Sequence, residues 1–187
     1  MNKIPIDELN NLTNKITEIV GDSPSSEEQQ KEIIDTVEEL LIMAFVFGTD
    51  SAAEDLGIES SVDENKIGAT IYEKIEGKTW EERITDYLRL GNKASEIVRV
   101  IDTETMRVYN EAKYLTAEDS GLAVMKTWVT VGDDRVRDSH WILEGVTIPL
   151  NDKFYTLDGD SALRPYGFEK ADNNINCRCA LEFSKKA

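Results

Sequence analysis

The segment "KTWVTVGDDRVRDSHWILEGVTI", residues 126–148, marks the point where the character of the chain changes. It opens with β-branched and aromatic residues in partial alternation, which favours a strand, and continues into the turn residues of "VGDD". The only histidine of the chain, His140, lies in the same segment, among three aspartates and two arginines. The segment therefore predicts the entry to a β-rich region and contains the first candidates for a functional site.

Upstream of this segment, apolar residues recur at helical spacing and predict five helices. Ser25 with Glu28, and Thr79 with Glu82, have the spacing of capping boxes. A glycine inside a helix costs only about 1 kcal/mol, so the second helix is expected to pass through Gly48. Glycines also follow the first four patterns as stops. The predicted helices carry Leu9 to Ile19, Ile33 to Leu56, Ile67 to Ile75, Trp80 to Leu88, and Ile97 to Leu115.

Downstream, two further segments continue the β-rich region. "GVTIPLNDKFYTL", residues 145–157, predicts a hairpin with Asn151-Asp152 at its turn. A long polar loop follows, and "CRCALEF", residues 177–183, predicts a final strand. We expect that strand to pair with the strand around Lys126–Val131 or with the hairpin near Val146–Tyr155.

These patterns predict an α+β fold with two parts. An acidic helical region, residues 1–92, is followed by a small mixed α+β domain with a mainly antiparallel sheet, residues 93–187. We find no internal repeat, no low-complexity tract and no flexible linker.

The composition limits the classes of function. A hydrophobic fraction of 40% and a charged fraction of 31% are typical of a globular protein. The net charge is −16, and residues 1–92 contain 21 acidic and 8 basic side chains. Such a surface repels phosphate, which argues against direct nucleic-acid binding and favours basic protein partners. The sequence shows neither a membrane span nor a signal peptide, so we expect a cytosolic product that does not bind membranes.

Two interpretations of the cysteines remain open. In a strand, Cys177 and Cys179 share one face with Leu181 and Phe183, as core residues would. Alternatively, the two thiolates and His140 bind zinc, in which case Asp134 or Asp138 is the candidate fourth ligand. A disulfide between positions two apart in a strand would be strained.

The histidine by itself also allows a catalytic interpretation. His140 has the residue type of a general base, which Asp134 or Asp138 would orient. The sequence contains no recognisable nucleophile motif, glycine-rich phosphate loop or paired-carboxylate signature. We therefore expect a structural role for His140 and no catalytic activity.

The arginines and tryptophans near the histidine also have a ligand-binding and a structural interpretation. Arg135, Arg137 and Arg178 either clamp an oxyanion or pair with the nearby carboxylates, and the density of acids favours pairing. Trp128 and Trp141 are expected to be core anchors rather than a cage for a ligand.

The order of several short sequence motifs indicates more about the protein than its composition does. "KTWVTVGDDRVRDSHWILEGVTI", "KFYTL", a loop with Arg164-Pro165, and "INCRC" together resemble the C-terminal domain of the phage Mu protein F-like minor head family. In that family a lysine-tryptophan strand, an arginine-rich segment ending in histidine, a following glycine and an asparagine-cysteine-arginine-cysteine terminus recur. The resemblance covers about residues 95–183, including the helix with "DTETMRVYNEAK".

The resemblance implies a minor head, or head-morphogenesis, protein of a tailed double-stranded DNA phage or prophage. Such a protein would associate with the portal, capsid or scaffold protein and assist procapsid assembly or DNA delivery. It would be found in the host cytoplasm during assembly and then inside the head of the virion. The alternative is an enzyme or toxin-associated module of a bacterial polymorphic effector, because similar domains occur joined to effector domains.

Overall fold

The structure is a computed structural model, and it describes Asn14, Glu18, residues 27–91 and residues 94–186. The apolar residues Leu9, Leu12, Ile16 and Ile19 of the predicted first helix lie outside the described residues, as does the predicted capping residue Ser25.

Six helices and five strands are formed by the described residues. The helices are α1 (Glu27–Leu56), α2 (Glu64–Ile71), α3 (Trp80–Arg89), α4 (Ala94–Asp119), α5 (Asp138–Trp141) and α6 (Ala171–Asn174). The strands are β1 (Val124–Val129), β2 (Thr147–Pro149), β3 (Phe154–Tyr155), β4 (Ser161–Ala162) and β5 (Ala180–Lys185). Helices precede an antiparallel sheet, so the predicted α+β class is confirmed.

The longest helix, α1, is continuous through Gly48, as predicted. A Cβ atom at Gly48 would lie 2.4 Å from the backbone oxygen of Tyr109 and 2.9 Å from Cβ of Ala112. The glycine therefore allows the close approach of α1 to α4. Gly57, with φ of +56°, follows the last helical residue and ends α1.

The prediction that α2 continues to Ile75 is wrong, because the helix ends at Ile71. Ile75 and Lys78 exchange backbone hydrogen bonds of 3.0 and 3.2 Å across a two-residue turn. The turn residues Glu76 and Gly77 have φ of +53° and +81°, which is the conformation of a tight hairpin turn. This turn replaces the last helical turn that the isoleucine spacing predicted.

The capping box at the start of α3 is confirmed. The backbone N–H of Glu82 donates to Oγ1 of Thr79 at 3.2 Å, and the backbone N–H of Thr79 donates to the Glu82 carboxylate at 2.8 Å. Two backbone donors at the start of α3 are satisfied in this way.

The main sheet has the order β2-β1-β5 and is antiparallel. The central strand β1 pairs with β5 from Val124 opposite Lys185 to Val129 opposite Ala180. This confirms the predicted pairing of the final strand with the strand around Lys126–Val131. The predicted start of that strand at Cys177 is wrong, because β5 begins at Ala180 and both cysteines precede it.

The predicted hairpin over residues 145–157 is wrong. Its first half, β2, pairs with β1, whereas its second half, β3, pairs with β4 in a separate two-stranded sheet. Beyond β2, the backbone N–H of Leu150 donates to Val124 O at 3.0 Å, which keeps the chain on β1. Asp152 N–H then donates to Pro149 O in a turn, after which Phe154 enters the core.

Two apolar clusters fill the fold. The first lies mainly among the four long helices, and the second lies between the sheet, the C-terminal loops and the ends of α1 and α4. Ala52 and Leu56 of α1 pack in the second cluster with Tyr114 and Ala117 of α4. The division of the chain into residues 1–92 and 93–187 stays a prediction.

The part of the chain that the structure describes contains helices of 4 to 30 residues. None of the helices there combines the length and the apolar character that a bilayer crossing needs.

Candidate metal centre

Two irregular segments bring the histidine and the cysteines together. His140 lies on the four-residue helix α5, where its backbone N–H donates to Arg137 O at 2.9 Å. Cys177 and Cys179 lie immediately before β5, and Cys177 N–H donates to Asn174 O at 3.1 Å. The central strand holds the α5 segment, since Gly145 N–H donates to Trp128 O at 2.9 Å.

The three side chains meet in the protein interior. Nδ1 of His140 lies 3.6 Å from Sγ of Cys177 and 3.6 Å from Sγ of Cys179. All three potential ligand atoms lie within 4.8 Å of one another. His140, Cys177 and Cys179 expose 1%, 3% and 2% of their surface, so bulk water does not separate them.

Aromatic side chains fix the orientation of the imidazole. Phe168 stacks on His140 at 5.3 Å between ring centroids, and Trp128 meets it edge-on at 5.6 Å. The hydroxyl of Tyr166 donates to Cys177 O, which holds the backbone of the first cysteine. The histidine therefore cannot turn away from the thiols without disturbing the core.

The two thiols have different acidities. A hydrogen bond from Cys179 is the main cause that lowers the pKa of Cys177 to about 5, burial opposes it, and His140 adds to it. The hydrogen bond to Cys177 and burial raise the pKa of Cys179 well above its ordinary value. The pair therefore favours one thiolate and one thiol, and a bound cation would displace the remaining proton.

The distances fit a tetrahedral zinc ion. Zinc bonds of about 2.3 Å to sulfur and about 2.0–2.1 Å to nitrogen place sulfur and nitrogen ligands about 3.6 Å apart in a tetrahedron. Both sulfur-nitrogen distances in the cluster have this value. Two sulfurs and one imidazole are also the donor set that soft or borderline cations prefer. The cluster could therefore hold a metal ion in three of four positions.

The predicted fourth ligands are not part of this cluster. Among the described residues, Asp134 and Asp138 do not join the group formed by His140, Cys177 and Cys179. In addition, Nε2 of His140 is buried and finds no hydrogen-bond partner among the residues described. Zinc-bound histidines usually donate their second N–H to an acceptor, and the described residues offer no such acceptor to His140.

An arginine-aspartate pair joins the same two segments beside the cluster. Arg178 donates from both terminal nitrogens to the Asp133 carboxylate, each at 2.6 Å. Asp133 also accepts from Arg135 N–H at 3.0 Å, and these bonds hold the pKa of its carboxyl well below the usual range. Arg137 donates to Ile175 O instead. Pairing within the protein, rather than an oxyanion clamp, is therefore the role of Arg135 and Arg178.

The tryptophans differ from each other. Trp128 is fully buried and is a core anchor, as predicted. The same prediction is wrong for Trp141, which exposes 51% of its surface. The short helix α5 places the His140 side chain in the interior. The adjacent Trp141 consequently points toward solvent.

The burial of Lys126 was not predicted from the sequence. Its ammonium donates to Leu163 O at 2.6 Å and lies 5.3 Å from the ring centroids of Tyr114 and Phe154. Burial lowers the pKa of Lys126 to about 8. The alternation of β1 contained the signal, because Lys126 falls on the same face as Val124 and Trp128.

A second missed feature is a set of buried ion pairs along α4. Arg107 donates to Glu104 at 2.9 Å, to Glu73 at 2.9 Å and to Thr70 O at 2.9 Å. Arg83 of α3 pairs with the same Glu104 at 2.7 Å. The helical pattern shows that Glu104 and Arg107, three positions apart, share a face of α4, but it does not show that the face is covered.

Comparison with known proteins places these observations in a family. The family model described as Phage Mu protein F like protein matches residues 65–182. Minor head protein GP7 of Bacillus phage SPP1 is 32% identical over 81 residues, which are 42% of this chain and 26% of the relative. NAD(+)--arginine ADP-ribosyltransferase EFV of Enterococcus faecalis is 31% identical over 109 residues, which are 56% of this chain and 22% of the relative. No solved structure matches significantly.

The extent of these matches differs. The chain spans about a quarter of the length of the curated relatives it matches. The family model, by contrast, covers more than half of the chain and includes His140, Cys177 and Cys179. It also begins earlier than the resemblance in the sequence indicated, within α2. The chain therefore belongs to the Phage Mu protein F like family.

Proposed function

We propose that the protein is a minor head protein of a tailed double-stranded DNA phage or prophage. The observation that carries this proposal is the family match, together with the 32% identity to the SPP1 minor head protein. The proposed partners are the portal, capsid or scaffold protein of the same phage. The protein would act in the host cytoplasm during procapsid assembly and would remain inside the head of the finished virion.

Electrostatics supports protein docking over DNA binding. Of the net charge of −16, the first 92 residues contribute most, with 21 acidic and 8 basic side chains. This region would be steered toward a basic protein surface and repelled by the phosphates of DNA.

Association with the cognate portal protein at two salt concentrations tests this role. Co-sedimentation should show binding at low salt that weakens at 1 M, where the Debye length falls to about 3 Å. Double-stranded DNA should bind poorly throughout. Tight DNA binding at about 0.15 M salt, or no association with portal, capsid or scaffold protein, would contradict the proposal. The full chain is needed, because a truncation at Ser95 would remove α1 from its packing against α4.

The enzymatic alternative has one observation in its favour, the relative named as an arginine ADP-ribosyltransferase. The match covers 22% of that protein, and the shared part need not carry the named activity. We infer that the present chain acts without catalytic turnover. Incubation with NAD+ and an arginine-containing peptide should yield no ADP-ribosylated product, with a known transferase as positive control. Product that depends on His140 would establish the alternative.

The proposal includes a structural zinc ion bound by Nδ1 of His140 and by Sγ of Cys177 and of Cys179. The two sulfur-nitrogen distances of 3.6 Å support it. Zinc would link α5 to the segment before β5, which are separated by 37 residues from His140 to Cys177. The fourth position would be filled by water or by a group of a partner protein, since the described residues offer no fourth ligand near enough.

The alternative is that the thiols are only core residues, and a Cys179→Ser variant distinguishes the two interpretations. Replacing a thiolate by a hydroxyl keeps the size but removes a ligand, so the variant should retain far less zinc after dialysis than the parent protein. An equal metal content in both proteins would leave the cysteines as core residues.

A further inference from the structure

A groove lies at one end of the helical region, away from the metal centre. It is formed by the second half of α1, the segment between α1 and α2, the first turn of α2 and the end of α4, and its volume is about 240 Å³. Phe45, Ile58 and Leu115 contribute apolar surface to it. We call this cavity the acidic groove, because three carboxylates, of Glu59, Asp63 and Asp119, line it together with one ammonium, of Lys66.

The direction of α1 and α4 adds negative charge at this end, where the positive amino-terminal end of α2 is capped by Asp63. Helices α1 and α4 run the same way, since Gly48 packs against Tyr109 and Ala112, and farther along Asp55 pairs with Lys113 at 3.0 Å. Their carboxyl-terminal ends therefore lie together. Each helix end has a partial negative charge of about half an elementary unit, and neither last turn contains a basic residue.

Acidic residues at these ends increase the negative potential. Glu54 and Asp55 close α1, and Glu118 and Asp119 close α4. A carboxylate in the last turn is unfavourable, because it meets the negative end of the helix dipole. Two lysines reduce this charge, Lys113 beside Asp55 and Lys66 beside Asp119. Glu59 is exposed on the groove rim, and the described residues offer it no cationic partner.

We propose that the acidic groove binds a basic segment of a partner protein and takes one apolar side chain of that segment into its cavity. The volume of about 240 Å³ lies below the range of about 300–1,000 Å³ typical of pockets for drug-sized ligands, and it suits a single leucine-sized or phenylalanine-sized side chain. Lysines or arginines on either side of that residue would face the carboxylates and the helix ends. This inference rests on the proposed function, because it locates the docking surface of a head protein.

A synthetic peptide tests the groove directly. The probe is a labelled 12-residue peptide of lysine, arginine and serine around one central leucine, and the measurement is fluorescence anisotropy with the full chain. Replacing the leucine by serine should weaken binding by about tenfold or more, since a serine leaves the apolar part of the cavity unfilled. Absence of binding, or equal binding of both peptides, would overturn the proposal.

A matched pair of charge reversals locates the binding site on the protein. Glu59→Lys changes the groove rim, whereas Glu39→Lys makes the same change of net charge at an exposed position of α1 that does not line the groove. The first should weaken peptide binding about tenfold and the second less than about twofold. Equal effects would indicate attraction to overall charge and would contradict a specific groove. Circular dichroism checks that both variants fold.

The same variants separate this inference from the proposed function. If the parent protein binds the cognate portal and Glu59→Lys does not weaken that binding, the protein docks through another surface and the groove proposal fails alone. If the parent protein binds the peptide through the groove but associates with no head component, the groove proposal stands and the proposed function fails.

Discussion

The Arg107–Glu104 network of the helical core and the candidate metal centre differ in how their buried polar groups are paired. In the helical core, the guanidinium of Arg107 finds three partners in the protein, and Glu104 pairs with two arginines. In the metal centre, two thiols converge on one imidazole nitrogen, and the other nitrogen has no partner among the described residues. A self-contained network needs nothing further to be stable, whereas the convergent cluster is a set of ligands that a cation would complete. The first region is therefore complete in itself, whereas the second could hold a cation, which is the basis of the proposed zinc site.

The strongest test of the self-contained network removes its central charge. Arg107→Met should lower the free energy of unfolding by about 3–5 kcal/mol, because it leaves Glu104 and Glu73 short of a partner and Glu104 is buried. Urea denaturation measures the change. Arg99→Met, at an exposed position of the same helix, is the control and should cost less than about 1 kcal/mol. Similar losses in both variants would mean that the buried network is not what stabilises the helices.

A second test addresses the packing that brings α1 and α4 together. Gly48→Ala should destabilise the protein by about 1–3 kcal/mol, because the added Cβ meets a backbone oxygen that cannot move aside cheaply. Gly68→Ala in α2 is the matched control, since nothing lies within 4 Å of its added Cβ. The control should stabilise by about 0.5–1 kcal/mol through helix propensity. If the melting temperature shifts in the same direction for Gly48→Ala and Gly68→Ala, the contact at Gly48 is not tight.

The third prediction concerns the metal centre itself. His140→Ala should lower the free energy of unfolding by about 1–3 kcal/mol, because it leaves buried polar groups unpaired, and should also lower the zinc content. Melting temperature and metal content are measured on the same preparation. A variant that keeps its melting temperature but no longer supports phage infectivity would show that the histidine has a functional rather than a structural role.

The extent to which the sequence predicted these two regions follows from the length of the patterns. Long helices such as α1 and α4 repeat their apolar spacing many times, so their existence and packing faces were predictable. The histidine and cysteines were also identified, because their residue types are rare in this chain and chemically distinctive.

Short elements were not predictable in the same way. Strands β2 and β3 have three and two residues, too few for an alternation to specify a partner, and the predicted hairpin between them was wrong. The burial of Lys126 depends on aromatic rings and a carbonyl oxygen contributed by distant parts of the chain. Those contacts belong to the tertiary structure and leave only a weak trace in local sequence.

The smallest expected effect is a pH dependence from Lys126. Its pKa is lowered by burial from 10.5 to about 8, so the unfolded chain holds this proton at pH values where the folded protein has released it. Its contribution to stability is therefore unfavourable below pH 8 and should improve by on the order of 1 kcal/mol as the pH rises from 8 to 10. The measurement is the difference in free energy of unfolding between the parent protein and Lys126→Met across this range. A difference that does not vary with pH would mean that Lys126 is not desolvated.

The most direct test of the contrast between the two regions is the zinc content of protein purified without a histidine tag, measured before and after chelation together with the melting temperature. Completion of the cluster of His140, Cys177 and Cys179 by a cation predicts about one zinc ion per chain, and its removal should lower the melting temperature by several degrees. Sub-stoichiometric zinc, with a melting temperature that chelation does not change, would show that the thiols are core residues and that the second region is as self-contained as the first.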